Sequence, residues 1–171
     1  EPIVRALRQT RLCDFIPVVA REATRPGDVP VPAGDSPLCV RTMSVPCDPS
    51  YMSETRRSVA EMLASLELPR DLTYDLVLAF GEALGNAFDH GGGTREDGAV
   101  VVTVSIYRDR IVMEVSDSGS GFDQGDELPA PTEERGRGIR LMLMLADSVD
   151  IQSKGVGNGT CVRLVKMISP Q

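Results

Sequence analysis

Residues 81–93 read GEALGNAFDHGGG, and this stretch decides the predicted fold. In a helix that turns about 100° per residue, Glu82, Asn86 and Asp89 fall within roughly one quarter of the circumference. The other side suits burial, because it carries only small and apolar residues: Leu76, Val77, Phe80, Ala83, Leu84, Ala87 and Phe88. The pattern therefore predicts an amphipathic helix that covers a core and carries a polar stripe.

The polar stripe, which Asp75 extends toward the start of the helix, has two interpretations. It is either an ordinary solvated face or a face that receives a cation. The second interpretation arises because no Lys or Arg occurs between Asp71 and His90, so that neighbouring acids repel one another. Small residues on the same helix also suit the close approach of a ligand or another backbone; these are Ala79, Gly81, Ala83 and Gly85.

Composition excludes several classes of protein. The chain of 171 residues has the size of one domain, and its net charge of −7 argues against general nucleic-acid binding. Four cysteines without a C-x-x-C pair and a single histidine argue against a zinc site. Cys39 and Cys161 lie in strand-like runs and are expected to be reduced core residues. No apolar run approaches the roughly 18 residues of a membrane span, so we expect a cytoplasmic protein.

The order of elements predicts a two-layer α/β sandwich, a mainly antiparallel sheet covered by helices on one face. A Pro- and Gly-rich stretch at 26–37 separates an N-terminal extension, 1–37, from the domain predicted over 38–168. A helix capped by Ser50 or Ser53 is expected to run to about Leu66. The remaining elements are a strand at 38–45, a hairpin at 99–107 and 111–117, a helix at 141–146, and a hairpin at 148–153 and 160–168.

Asp117 falls on the apolar face of its predicted strand, in line with Ile111, Met113 and Val115. An unpaired carboxylate is costly to bury. Either the strand has ended and Asp117 opens the turn DSGSG, or the carboxylate accepts a hydrogen bond from a ligand such as an exocyclic amine.

A long segment without helix or strand pattern, 119–138, follows this turn. Segments of this length are often lids, and glycines at both ends suit hinges; the alternative is an ordinary surface loop. The segment leads into a helix N-terminus, where free N–H groups favour an anion. Three arginines add positive charge there: Arg135, Arg137 and Arg140.

Four motifs in one order carry a family resemblance. They are E-x-x-x-N-x-x-x-H from Glu82, D-x-G-x-G-F from Asp117, G-x-G at 136–138, and G-x-G-T ending at Thr160. In this order they resemble the GHKL superfamily, the Bergerat-fold ATP-binding domains of gyrase, MutL, the ninety-kilodalton heat-shock chaperone and histidine kinases. The form EALGNAFDHG is most similar to the anti-sigma-factor serine kinases of bacteria. The resemblance covers about 38–168 and leaves 1–37 outside.

The resemblance implies a role for each residue that matches a motif. Glu82 would be the general base, Asn86 would bind Mg²⁺, and Asp117 would accept the adenine amine of ATP. Thr160 would support the adenine contact. The base pocket would include Gly119 and Gly121, and the phosphates would meet Arg135, Gly136 and Gly138.

The function implied by the resemblance is that of an anti-sigma factor with ATP-dependent protein serine/threonine kinase activity. Such a protein sequesters a sigma factor, phosphorylates a STAS-type anti-anti-sigma protein, forms a homodimer and needs no direct nucleic acid or membrane contact. Two alternatives remain, a non-catalytic nucleotide-binding module that only sequesters its partner, and a small GHKL ATPase. Arg56 and Arg57 are either a partner surface or ordinary solvated side chains.

Overall fold

A computed structural model describes residues 36–91, 98–119, 137–154 and 158–168. In these ranges, strands rich in β-branched residues form a five-stranded sheet. The sheet has the spatial order β1-β2-β3-β5-β4, and every neighbouring pair is antiparallel. This order confirms the predicted hairpins and adds that β5 lies between β3 and β4. The strands are β1 (Cys39–Pro46), β2 (Ala99–Ile106), β3 (Arg110–Ser116), β4 (Ser148–Ser153) and β5 (Thr160–Met167).

One face of the sheet forms the core. Alternate residues of a strand point to opposite faces, so the alternating apolar residues of β2 and β3 share one side. All of them are buried, since none is more than 1% exposed: Val100, Val102, Val104, Ile106, Ile111, Met113 and Val115. The described helices pack against this face, as the two-layer prediction requires.

Within the described residues there are three α-helices, which are α1 (Met52–Ala64), α2 (Arg70–Gly91) and α3 (Arg137–Leu145). The predicted apolar side of α2 is confirmed, because its members are at most 4% exposed except for the half-buried Val77. The last residue of α2 is Gly91. In α1, Val59 and Leu63 are fully buried, and Leu66 is buried just beyond the helix.

The predicted cap of α1 is wrong. Neither Ser50 nor Ser53 caps the helix, since a short 3-10 turn, Pro49–Tyr51, precedes it. Asp48 caps that turn by accepting a hydrogen bond from the backbone N–H of Ser50 at 2.8 Å, and this bond lowers the pKa of Asp48. Asp followed by Pro at the first position starts the turn earlier, because proline has no N–H to satisfy there.

A cation from another element does reach the polar stripe of α2. Nζ of Lys166 in β5 lies 3.5 Å from Oδ2 of Asp75 and donates to the carbonyl of Leu145 at 2.7 Å. Lys166 thereby joins the first half of α2 to the end of α3. The other acids of the stripe, Glu82 and Asp89, lie further toward the C-terminal end of α2 than this ion pair.

The cysteines follow the prediction in part. Cys39 is buried, whereas Cys161 is only partly buried, and burial together with the charge of Glu114 raises the pKa of the Cys161 thiol. Within the described residues the free cysteines are Cys39, Cys47 and Cys161. None of the helices in these ranges combines the length and the hydropathy that crossing a bilayer requires.

Candidate functional site

Asp117 directly follows β3, and its side chain is only 6% exposed. Oδ1 accepts hydrogen bonds from the backbone N–H groups of Gly119 at 2.8 Å and Thr160 at 3.2 Å. The backbone N–H of Asp117 donates to the carbonyl of Thr160 at 3.0 Å. The strand ends at Ser116 and Asp117 opens the turn, as the first interpretation predicts. The carboxylate is nevertheless buried, and its hydrogen bond to a ligand stays a prediction.

Three glycines let the backbone close around Asp117. A Cβ atom at Gly91, the last residue of α2, would lie 2.9 Å from Cβ of Asp117. A Cβ at Gly119 would collide with the carbonyl oxygen of His90, and one at Gly159 with the carbonyl oxygen of Asp117. Gly159 also has a φ of +85°, which favours glycine. The end of α2, the turn after β3 and the start of β5 therefore meet at one carboxylate.

The second oxygen of Asp117 is available to a ligand. Among the described residues, only Oδ1 accepts hydrogen bonds, and Oδ2 accepts none from them. Among the described residues, the buried side-chain atom without a hydrogen-bond partner is Nε of Arg163, so Oδ2 of Asp117 keeps some exposure and a donor such as an amine can reach it.

A second group of polar side chains lies further back along α2. A Cβ at Gly138, near the start of α3, would lie 2.8 Å from Oε2 of Glu82 and 3.8 Å from Nδ2 and Oδ1 of Asn86. The first turn of α3 therefore approaches the middle of the polar stripe. At a rise of about 1.5 Å per residue, Glu82 and Asn86 are roughly 13 and 7 Å from Gly91 along the axis.

The structure brings together most of the predicted site residues, in two groups along α2. Asp117, Gly119 and Thr160 meet at its end, and Glu82, Asn86 and Gly138 meet at its middle. The side chain of His90 is exposed, and only its carbonyl contributes to packing at Gly119. Three predicted residues lie outside the described ranges: Gly121, Arg135 and Gly136.

Two residues near Asp117 were not predicted from the sequence. Sγ of Cys47 would lie 3.2 Å from a Cβ at Gly91, and it approaches the carbonyl of Ala87 at 3.8 Å. Nζ of Lys154 donates to the backbone carbonyl of Asp117 at 2.6 Å. Each comes from a different element, and neither belongs to a motif, so no local signal marked them.

Burial raises the pKa of the Cys47 thiol, and the negative charge of Asp117 raises it further. Only the thiolate is alkylated, so the alkylation rate of Cys47 should keep rising at a pH where an exposed cysteine has reached its plateau. Mass-spectrometric rates between pH 7 and pH 11, compared with a Cys47→Ser variant as background, measure this profile. A plateau at the pH of a free cysteine would contradict the influence of Asp117.

Comparison with known proteins identifies the family. The sequence model for the histidine kinase-like ATPase domain matches residues 45–166. The chain belongs to this family. Within it, the chain is 31% identical to the serine-protein kinase RsbW of Bacillus pumilus over 74% of this chain and 85% of the relative. It is also 31% identical to the anti-sigma F factor of Clostridium beijerinckii, over 65% of this chain and 82% of that protein.

Solved structures of the family share the fold. The RsbU and RsbW domains of a Mycobacterium tuberculosis protein give a TM-score of 0.58 at 18% identity, covering 75% of this chain and 32% of the other. The histidine kinase domain of a blue-light-activated kinase from Erythrobacter litoralis gives 0.54 at 20% identity, covering 73% and 62%. Family membership and the RsbW relatives support a kinase or ATPase activity that uses ATP.

Proposed function

We propose that this histidine kinase-like ATPase domain is an anti-sigma factor that also phosphorylates a serine of a STAS-type anti-anti-sigma protein. The observation that carries the proposal is the pair of polar groups along α2. A buried carboxylate with a free oxygen lies at the end of the helix, and Glu82 and Asn86 face the start of α3 at its middle. Relatives named serine-protein kinase and anti-sigma F factor support the regulatory role.

The residues present fit ATP. Asp117 Oδ2 suits the exocyclic amine of adenine, and the space around it is kept narrow by glycines whose Cβ atoms would collide with neighbours. The N-terminus of α3 suits phosphate, because its first N–H groups have no partner within the helix. Gly121, Arg135 and Gly136 stay part of the proposed pocket from the family resemblance.

The donor set also fits Mg²⁺ held together with phosphate. Mg²⁺ usually takes one or two protein oxygens and completes its shell with water and substrate phosphates. In the part of the chain that the structure describes, no three His, Cys, Asp or Glu side chains come together as a metal site. The amide oxygen of Asn86 would therefore be the protein ligand.

Glu82 is positioned for general-base catalysis. Its side chain is half-buried, and Oε2 lies against the backbone of Gly138 at the start of α3. Bound Mg·ATP supplies the phosphoryl group. Glu82 would accept the proton of the attacking serine hydroxyl, while the N–H groups of α3 and the cationic Arg137 offset negative charge.

Partner binding is proposed for the outer surface of α1. Arg56 lies across α2, since a Cβ at Gly81 would be 3.2 Å from its Cζ, and Arg57 is an exposed residue 4.0 Å from Glu61. This basic surface borders the polar stripe on a chain whose net charge is −7. The proposed partners are a sigma factor, the STAS protein and a second copy of the chain in a homodimer. The proposed kinase domain comprises residues 38–168.

Asn86→Ala tests the nucleotide part of the proposal. We expect wild-type protein to bind ATP more tightly with Mg²⁺ than without it, and the variant to lose this difference, because the amide oxygen is gone. Calorimetric titrations with and without Mg²⁺ measure both affinities. Asp89→Ala is the matched control, since Asp89 is exposed on the same helix and should keep the Mg²⁺ effect. Equal Mg²⁺ dependence in Asn86→Ala and wild type would contradict the assignment.

A further inference from the structure

Lys154, which follows β4, lies at the end of the proposed site that would bind the adenine base. Its side chain contacts a backbone atom there. Its ammonium donates to the carbonyl oxygen of Asp117 at 2.6 Å, and the bond is partly buried. A hydrogen bond from an ionised donor is shorter and stronger than one between neutral groups. Lys154 therefore forms a charged hydrogen bond with Asp117, the residue whose Oδ2 is proposed to meet the base.

The hairpin of β4 and β5 holds Asp117 through neighbouring residues as well. The backbone N–H of Lys154 donates to the carbonyl of Gly159 at 2.9 Å. The backbone carbonyl of Thr160 accepts a hydrogen bond from the backbone N–H of Asp117 at 3.0 Å, and the backbone N–H of Thr160 donates to Oδ1 of Asp117 at 3.2 Å. Of these hydrogen bonds, only the one from Nζ of Lys154 holds the backbone carbonyl of Asp117. It therefore fixes the plane of the peptide between Asp117 and Ser118.

That peptide plane determines where the carboxylate points. The carbonyl of Asp117 belongs to the peptide that leads into Ser118, and Gly119 N–H then returns to Oδ1 at 2.8 Å. If the carbonyl rotates, the N–H of Gly119 moves away from Oδ1 and the carboxylate loses one of its two described donors. Oδ2 would then no longer be held toward a ligand.

We propose that Lys154 is a positioning residue that gives the pocket its preference for an adenine base. It acts through Asp117 and does not touch the reacting atoms. The inference rests on the proposed function, since it requires Asp117 to accept the exocyclic amine. It predicts a change in base selectivity, which general loss of stability would not produce.

Lys154→Met keeps the length of the side chain and removes its donor. The test compares the affinities for ATP and for inosine triphosphate, which has a carbonyl where adenine has its amine, by calorimetry. We expect ATP affinity to fall roughly fivefold to tenfold, less than for direct loss of a charged hydrogen bond because Lys154 acts only through Asp117, with little change for inosine triphosphate. Lys154→Arg, which keeps a cationic donor, should recover most of the selectivity.

Lys166→Met is the matched control. Lys166 is also partly buried and donates to a backbone carbonyl, that of Leu145 at 2.7 Å, but at the opposite end of α2. Its loss should change stability without changing the ratio of the two affinities. If Lys154→Met does not fold, Lys154→Gln serves in its place, because its shorter side chain leaves the carbonyl of Asp117 without the charged donor.

Three outcomes overturn the inference, and they separate its failure from failure of the proposed function. Equal weakening of both nucleotides by Lys154→Met, or unchanged ATP affinity, shows that Lys154 has no role in selectivity while the proposed function stands. A wild-type protein that binds ATP and inosine triphosphate equally contradicts base recognition by Asp117. In that case the inference fails together with this part of the proposed function.

Discussion

Replacing Asp117 by Asn should weaken ATP binding roughly 10- to 150-fold, the effect of losing a hydrogen bond to a charged group worth about 1.5–3 kcal/mol. Oδ1 is held by two N–H donors, so the amide must keep its oxygen there and turn its NH₂ toward the ligand. Two donors would then face each other at the adenine amine. Guanine nucleotides, which present a carbonyl at that position, should lose much less affinity. Calorimetry with both nucleotides measures the difference.

Asp150→Asn is the control for this substitution. Asp150 is also partly buried and accepts a hydrogen bond, from Gln152 at 2.6 Å, but it pairs with Arg163 in the register of β4 and β5, away from the core. It should leave both affinities unchanged. ATP affinity equal to wild type in Asp117→Asn would remove Asp117 from the site.

Replacing Glu82 by Gln should slow phosphoryl transfer by about 10²–10⁴, the usual contribution of a general base. The amide keeps the shape of the carboxylate against Gly138 but cannot accept the proton of a serine hydroxyl. ATP affinity and partner binding should stay close to wild type. Single-turnover transfer rates together with calorimetry separate the chemical step from binding.

Glu114→Gln is the control, because Glu114 is a partly exposed acid of β3 that lies on the face of the sheet away from the core and 3.9 Å from Arg163. It should transfer phosphate at the wild-type rate. A Glu82→Gln variant that does the same would show that Glu82 is only a polar residue of the α2 surface.

The sequence predicts the elements well because each has a regular period. Apolar residues repeat along α2 at helical spacing, and alternate along β2 and β3, so burial of both sets follows from geometry. The position of Asp117 on an apolar face is likewise visible, since it continues the alternation of Met113 and Val115. Local patterns therefore indicate both the fold class and the unusual carboxylate.

Contacts between elements distant in sequence could not be predicted in this way. The pairing of β3 with β5, which brings Thr160 to Asp117, depends on how two hairpins combine. Cys47, after β1, lies beside Gly91, and Lys154, after β4, donates to the backbone carbonyl of Asp117, although neither residue belongs to a motif. Lys166 brings a cation from another element to the polar stripe of α2, which has no Lys or Arg after Arg70.

The central claim is that the chain transfers phosphate from ATP to a serine of a STAS protein. The direct test is to incubate it with Mg²⁺, ATP labelled at the γ-phosphate, and a panel of STAS-domain proteins from the source organism. We predict label on a serine of one STAS protein, with transfer that depends on Glu82. Label released only as inorganic phosphate would indicate an ATPase, and ATP bound without any turnover would indicate a sequestering module; either result would contradict the kinase.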